Sequence, residues 1–186
     1  NALGSATQSL IDNKNLVKKV FFPCEIVPLA AIGYPLVNLA IGFVLLLVVH
    51  LILGGTLSVA LVWFPVVFAI QLVLTVGLAL LFSCGNVCYR DIGYMVSVGI
   101  IFGFYASPVF YELELVTENE KIDGWIAMLY QCNPMAGLLT AYRQILFEHR
   151  FPDIALLVWP TVLAVCSLLV GAVVFRRKAP TLSDHL

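Results

Sequence analysis

The stretch QCNPMAGLLTAYRQILFEHRF, residues 131–151, constrains the fold of this chain more than any other. From Met135 to Phe147 its apolar residues fall at positions 135, 138, 139, 142 and 146, which is the spacing of one helical face. Asn133 is a good N-cap and Pro134 suits the first helical position, so the sequence predicts where this helix begins. Thirteen residues span only about 20 Å, whereas a bilayer core is about 30 Å thick. The helix is therefore apolar enough to enter a membrane and too short to cross it.

The composition is that of an integral membrane protein. Of 186 residues, 61% are hydrophobic and 11% are charged, whereas a soluble domain carries about 25% charged residues. The net charge of -1 provides no basic field for nucleic acid, and the sequence contains no Gly-x-x-x-x-Gly-Lys phosphate loop. We therefore expect nucleotide chemistry only in another subunit. The chain starts at Asn1 without a signal peptide, which predicts a fragment lacking its true N-terminus.

The cysteines and histidines do not form a recognisable metal-binding pattern. Cys84 and Cys88 are spaced as neighbours on a helix, but no histidine lies near them in the sequence. Free cysteine is commonly a small packing residue in an apolar core. We predict that this chain has no metal site and no catalytic residue.

Four apolar stretches reach the length that a membrane span requires, namely residues 26–53, 59–84, 92–111 and 154–175. None alternates polar and apolar residues as a transmembrane β-strand does, so helices must satisfy the backbone in lipid. The predicted fold class is an all-α, polytopic membrane protein with four visible spans.

The basic residues predict the orientation of these spans. Three lie on one side of the membrane and seven on the other, and the side with the larger number is usually cytoplasmic. The larger set is Lys14, Lys18, Lys19, Arg90, Arg176, Arg177 and Lys178, and the smaller is Lys121, Arg143 and Arg150. Both ends of the chain are therefore expected in the cytoplasm.

Residues 112–153 then form an external segment. An acidic loop is followed by a short apolar turn of helix, a break at Asn133 and Pro134, and the amphipathic helix described above. This order predicts a re-entrant helical hairpin that lines an external mouth. The alternative, which periodicity favours equally, is a helix lying flat on the membrane surface.

The third span carries two patterns. Gly99, Gly103 and Ser107 form a stripe of small residues on which another helix, of the same chain or of a second copy, can pack closely. Aromatic residues crowd the outer half of the span, where they either anchor the helix at the interface or line a path for a sugar chain. They are Phe102, Phe104, Tyr105, Phe110 and Tyr111.

On the cytoplasmic side, residues 15–22 form a basic, amphipathic segment ahead of Pro23. The segment is either an ordinary positive-inside anchor or a coupling segment docked on a cytoplasmic partner. The second cytoplasmic turn contains Arg90 and Asp91, which either pair at a helix start or meet the same partner.

Three stretches together resemble one known family. They are NLVKKVFFPCEIVPLA at 15–30, YRDIGYMVSVGIIFGFYASPVFY at 89–111 and NPMAGLLTAYRQILF at 133–147. In this order they are similar to the membrane subunit of ABC-2 type polysaccharide exporters, the permeases of O-antigen, teichoic acid and capsule. The resemblance covers essentially the whole chain.

The resemblance implies a six-helix permease of the bacterial inner membrane that works as a homodimer with two copies of a cytoplasmic ATPase. The chain would then be one incomplete transmembrane domain, with residues 1–10 ending helix 2, residues 11–25 forming the coupling segment, and the four spans being helices 3 to 6. ATP and Mg would be bound by the partner, and this chain would hold no cofactor. The coupling residues would be Asn15, Leu16, Lys18, Lys19, Phe21 and Arg90.

The same resemblance implies a path for a lipid-linked polysaccharide. Glycan would stack on or hydrogen-bond to Phe102, Tyr105, Phe110, Tyr111, Tyr142 and Arg143. Arg143 has the alternative role of pairing with Glu148 or an acidic loop residue and holding the hairpin in place. Rival functions are an ABC-2 permease for a drug or small lipid and a membrane-embedded glycan enzyme, although the enzyme would need converging carboxylates or histidines that the sequence does not display.

Overall fold

The structure, a computed structural model, describes residues 1–19, 23–56, 58–108 and 132–185. All regular secondary structure in these ranges is helical, which confirms the all-α prediction for this part of the chain. The elements are α1 (Ala2–Asp12), α2 (Lys14–Lys19), α3 (Ile26–Ile52), a short 3-10 helix (Val59–Trp63), α4 (Phe64–Cys88), α5 (Asp91–Tyr105), α6 (Pro134–Leu146) and α7 (Ile154–His185).

Within the described ranges, three helical segments are long and apolar enough to cross a membrane. They are Ile26–Ile52, Val59–Cys88 and Ile154–Pro180, and they correspond to the first, second and fourth predicted spans. The chain is thus a multi-pass helical membrane protein. α7 continues well past the predicted end at residue 175, because its helical backbone runs on through the basic residues that follow the apolar run.

The third predicted span, 92–111, differs from the helix found there. α5 has 15 residues, about 22 Å, and it ends at Tyr105, where the N–H of Ala106 bonds to the carbonyl of Phe102. Pro108 explains the early end, since a proline disfavours helical geometry at the residue before it. Residues 109–111, the end of the predicted span, lie outside the described ranges.

α4 and α7 form the tightly packed centre of the fold. A Cβ atom built on Gly171 would lie 2.4 Å from the carbonyl oxygen of Gly77, and one built on Gly77 would lie 2.4 Å from the backbone nitrogen of Leu168. Only glycine allows two helix backbones to approach so closely. By contrast, no described residue outside α5 lies within 4 Å of a Cβ built on Gly99 or Gly103, so only Ser107 of the predicted stripe contacts another described helix, through Asn133.

The bundle has two distinct ends. At the first, which we call the basic end, an apolar cluster joins α1, α2, α3, α4 and α7, and Arg176 pairs with Glu25 across 3.6 Å. At the other, which we call the hairpin end, a second cluster joins α4, α6 and α7. α1 packs against α3 and α4 through Ala6, Ile32 and Ala79. The described members of the two sets of predicted functional residues lie toward these two ends.

Candidate functional site

α2 is a short helix that is held on one side and open on the other. Asn13 ends α1 by donating from its amide to the carbonyl of Ser9 over 2.9 Å, and its own carbonyl accepts from the N–H of Leu16, which starts the next turn. Val17 is only 6% exposed within the cluster of the basic end, whereas Leu16 is 48% exposed and Asn15 is exposed. α2 therefore buries one side in the bundle and leaves Asn15 and Leu16 exposed at the basic end.

Of the other predicted coupling residues, three lie within the described part of the chain and one does not. Lys18 and Lys19 belong to α2, and Arg90 is an exposed residue at the start of α5. Phe21 lies outside the described residues. The structure therefore brings α2 and the turn between α4 and α5 to the same end of the bundle, as a docking surface for a partner requires.

A buried amide at this end joins three helices. Asn86, on α4, is 1% exposed. Its Nδ2 donates to the carbonyl of Thr7 over 3.1 Å and to Oε1 of Gln8 over 3.2 Å, and its Oδ1 accepts from the N–H of Gly93 over 2.8 Å. This N–H lies in the first turn of α5, where a helix has no internal acceptor for it. Asn86 therefore caps α5 from a neighbouring helix while holding α1.

At the hairpin end, α6 begins where the sequence predicted. The side chain of Asn133 accepts from the N–H of Met135 over 3.0 Å, and Pro134 occupies the first turn. α6 is held by protein along one face, since Leu138, Ala141 and Ile145 are fully buried against α4 and α7. α6 is therefore fixed to the bundle along that face. The other half of the predicted hairpin, residues 124–131, lies outside the described ranges.

The buried face of α6 is not the one that the apolar spacing predicted. The buried residues are Ala136, Gly137, Leu138, Ala141, Gln144 and Ile145, and of the predicted face only Leu138 is among them. Small residues explain this rotation, because a Cβ on Gly137 would lie 2.5 Å from the carbonyl oxygen of Leu156 on α7. Gln144 is tolerated inside because its Oε1 accepts from the N–H of Asp153 over 3.0 Å.

α6 also holds the end of α5. Nδ2 of Asn133 donates to the carbonyl of Ala106 over 3.2 Å and to the hydroxyl of Ser107 over 3.0 Å. One Nη of Arg143 donates to the carbonyl of Pro108 over 3.4 Å. Glu148, one of the partners expected for Arg143, pairs with Arg150. In this structure Arg143 thus helps to hold the segment that follows α5.

Tyr142 is engaged within the bundle on one side. Its hydroxyl donates to Oε1 of Gln71 on α4 over 2.8 Å, and its ring centroid lies 5.4 Å from that of Phe64. Burial raises the pKa of the Tyr142 hydroxyl to about 12, so the phenol stays protonated and remains a donor. Phe64 in turn stacks on Phe43 with 3.8 Å between ring centroids.

The remaining predicted path residues are separated from Tyr142. Phe102 and Tyr105, on α5, are 75% and 71% exposed. In the described parts of the chain, no ring contact joins either of them to Tyr142. Phe110 and Tyr111 lie outside the described residues. Among the described residues, the aromatic side chains therefore form an exposed pair on α5 and a separate, half-buried group around Tyr142.

Three polar residues, Asn86, Gln144 and Gln71, were not predicted from the sequence to have a role. The available signal was a polar amide inside an apolar run, which is costly in a membrane protein unless the amide is hydrogen-bonded. Among the residues that the structure describes, no group of three or more His, Cys, Asp or Glu is placed to hold a metal ion.

Comparison with known proteins is consistent with this geometry. Residues 1–147 match the family described as ABC-2 type transporter. The chain is 29% identical over 185 residues to a Myxococcus xanthus protein named O-antigen export system permease protein RfbA, covering 100% of this chain and 70% of that protein. Two Klebsiella pneumoniae proteins of the same name are 30% and 28% identical over 145 residues, or 76% of this chain and 54% of each relative. The chain thus spans about half the length of those two relatives.

Proposed function

Because the chain belongs to the ABC-2 type transporter family, we propose that it is the membrane permease of an ATP-driven exporter whose substrate is a lipid-linked polysaccharide. The proposed substrate rests on the similarity, along 100% of this chain, to a protein named as an O-antigen export permease. The family name and the relatives' names both describe transporter components, so the chain is a transport subunit and not an enzyme.

ATP hydrolysis is assigned to a separate cytoplasmic subunit, present in two copies, which would bind ATP and Mg. The sequence supports this division, since it contains no phosphate-binding loop. A second copy of this chain would complete the permease. The exposed side of α2 around Asn15 and Leu16, together with Arg90, is the proposed docking surface for the ATPase. This places the basic end, and both ends of the chain, in the cytoplasm of a bacterium, with the spans in the inner membrane.

In the proposed cycle, the lipid-linked glycan is loaded from the cytoplasmic leaflet. ATP binding and hydrolysis displace α2, and the different affinities of the two permease states for the nucleotide-bound partner drive the change between them. The glycan leaves past Phe102 and Tyr105, whose exposed rings offer stacking faces for the apolar faces of sugars. Arg143, beside the carbonyl of Pro108 at the hairpin end, is the proposed hydrogen-bond donor to sugar hydroxyls.

The test is to isolate the full-length, tagged protein from its native membranes in mild detergent and to identify stoichiometric companions by mass spectrometry. We expect a soluble ATPase in equal amount, together with lipid-linked sugar. Recovery of an intact complex without any ATPase would overturn the proposal that the protein belongs to an ATP-driven exporter. If the ATPase is recovered but its ATP hydrolysis responds to drugs or small lipids and not to the glycan, the substrate is a drug or small lipid and not a polysaccharide.

A pair of variants tests the docking surface. Leu16→Asp places a charge on the open face of α2 and should abolish recovery of the ATPase. Leu53→Asp is the matched control, because Leu53 is also exposed but follows α3 at its far end. Equal recovery of the ATPase with both variants would contradict the assignment of α2.

A further inference from the structure

α5 is held by hydrogen bonds at its two ends and by packing of one face on α1 and α4. Along its length it buries only Val96, and most of its other large apolar side chains are exposed. Its first turn is capped by Asn86, and the carbonyl of Ala106, the residue that follows its last turn, accepts from Asn133. A helix with little side-chain packing and a hydrogen-bonded residue at each end follows the motion of whatever holds those ends.

The residue that holds the first turn of α5 also holds α1. Thr7 and Gln8 bond to Nδ2 of Asn86, and Gly93 bonds to its Oδ1. The carboxamide is planar, so its two donor bonds and its acceptor bond cannot change direction independently. A shift of Thr7 and Gln8 therefore turns the group that caps α5.

α1 leads directly into the proposed docking helix. Only Asn13 separates α1 from α2, and this residue is bonded to both, through the carbonyl of Ser9 on one side and the N–H of Leu16 on the other. A displacement of α2 is thus transmitted along α1 to the residues that hold Asn86.

The contact between Asn86 and the first turn of α5 leaves no room for a side chain at Gly93. A Cβ on Gly93 would lie 2.9 Å from Oδ1 of Asn86, so glycine lets the first turn of α5 approach the amide closely. Asn86 is also sealed from solvent. A buried amide depends on hydrogen-bond partners within the protein, so loss of its bonds to α1 is costly.

From these contacts we infer that Asn86 is a positioning residue that transmits the displacement of α2 to α5, and so couples ATP hydrolysis to the export path. The inference rests on the proposed function, because it assumes that a partner ATPase moves α2. It adds a residue that touches neither the ATPase nor the glycan.

The experiment uses the full-length permease with its ATPase in proteoliposomes containing lipid-linked glycan extracted from the native membranes. ATP hydrolysis and glycan translocation are measured on the same vesicles, and the result is the amount of glycan moved per ATP. A residue that only stabilises the fold lowers the amount of active complex and leaves this ratio unchanged.

Asn86→Leu keeps a similar volume and removes all three hydrogen bonds. We expect ATP hydrolysis close to that of the parent and a ratio lowered about tenfold, the size of a typical coupling between sites. Gln8→Ala removes one bond from an exposed side chain and should lower the ratio about threefold, as expected for one interhelical hydrogen bond in a membrane protein.

Ser83→Ala is the matched control. Ser83 is also fully buried on α4, but its hydroxyl donates within its own helix, to the carbonyl of Leu80. This variant should keep the parental ratio.

The two proposals fail in different ways. If the parental complex shows no ATP-dependent translocation, the proposed function is wrong, and the role of Asn86 falls with it. If the parental complex does translocate glycan, and both Asn86→Leu and Gln8→Ala move as much glycan per ATP as the parent, the role of Asn86 is wrong while the proposed function stands. Should Asn86→Leu fail to assemble, Gln8→Ala decides by the same ratio.

Discussion

The hydroxyl of Tyr142 donates to Oε1 of Gln71 over 2.8 Å, and this bond joins the short helix α6 to the spanning helix α4. Both partners lie within apolar surroundings at the hairpin end, where the ring of Phe64 packs beside Tyr142. A polar side chain in a span needs such a partner, since lipid offers none. The bond explains how a helix too short to cross the bilayer is nevertheless fixed to the bundle.

Removing this hydroxyl should destabilise the protein modestly. Tyr142→Phe leaves Oε1 of Gln71 without its donor, and we expect the free energy of unfolding in detergent to fall by about 1 kcal/mol. Gln71→Leu should restore part of that loss in the double variant, because the unpaired amide is then absent. Thr161→Val is the control, since the hydroxyl of Thr161 bonds only within α7. Strictly additive effects of the two substitutions would show that the bond contributes nothing.

The contact between α4 and α7 should be intolerant of one added methyl group. Gly171→Ala brings a Cβ against the carbonyl oxygen of Gly77, and backbone cannot yield as a flexible side chain does. We expect a loss of about 2 kcal/mol or more, as for other overpacked interiors, measured as a lower midpoint of thermal unfolding. Gly42→Ala is the matched control, since nothing lies within 4 Å of its added carbon and alanine favours the helix. An unchanged midpoint for Gly171→Ala would mean that the helices are farther apart than described.

Asn133 should matter to export and not to assembly with the ATPase. Asn133→Ala removes the cap of α6, worth about 1 kcal/mol, and both bonds to the end of α5. We expect slower glycan export with normal recovery of the ATPase, because that partner is proposed to bind the opposite end. Thr140→Ala provides the comparison, since the hydroxyl of Thr140 bonds only to the carbonyl of Ala136 within α6. Loss of ATPase recovery in Asn133→Ala would show that the two ends are not separable in this way.

Much of the helical architecture follows from local rules. Long apolar runs predict α3, α4 and α7, because a span must satisfy its own backbone in lipid. The start of α6 follows from Asn133 and Pro134, whose side-chain and backbone chemistry suits those two positions. Pro108 could also have placed the end of α5, since it acts on the residue immediately before it.

The contacts between helices could not be predicted in the same way. Gly137 determines which face of α6 is buried, because it lets α7 approach closely. The positions of the largest apolar residues do not determine this face. The glycines that mediate the tightest contact are Gly77 and Gly171, on two separate spans, whereas no described residue outside α5 lies within 4 Å of a Cβ built on Gly99 or Gly103. Pairing between distant small residues depends on how helices are arranged in space, which one chain's periodicity does not specify.

The exposed aromatic pair on α5 provides the sharpest test of the substrate. Phe102 and Tyr105 contribute little to packing, because both are mostly exposed, so their truncation should leave the stability of the permease unchanged. If they stack on sugar rings, the double variant Phe102→Ala with Tyr105→Ala should slow glycan export by about threefold to tenfold while ATP hydrolysis persists. Translocation of labelled glycan into proteoliposomes measures this effect.

Two comparisons separate stacking from mere apolar bulk. Met95→Ala truncates another exposed side chain of α5 and should leave export unchanged. Phe102→Leu keeps apolar volume and removes the aromatic face, so export should remain low with this variant as well. Full export with Phe102→Leu would instead mean that the residue faces lipid or a second copy of the chain, where any large apolar side chain suffices.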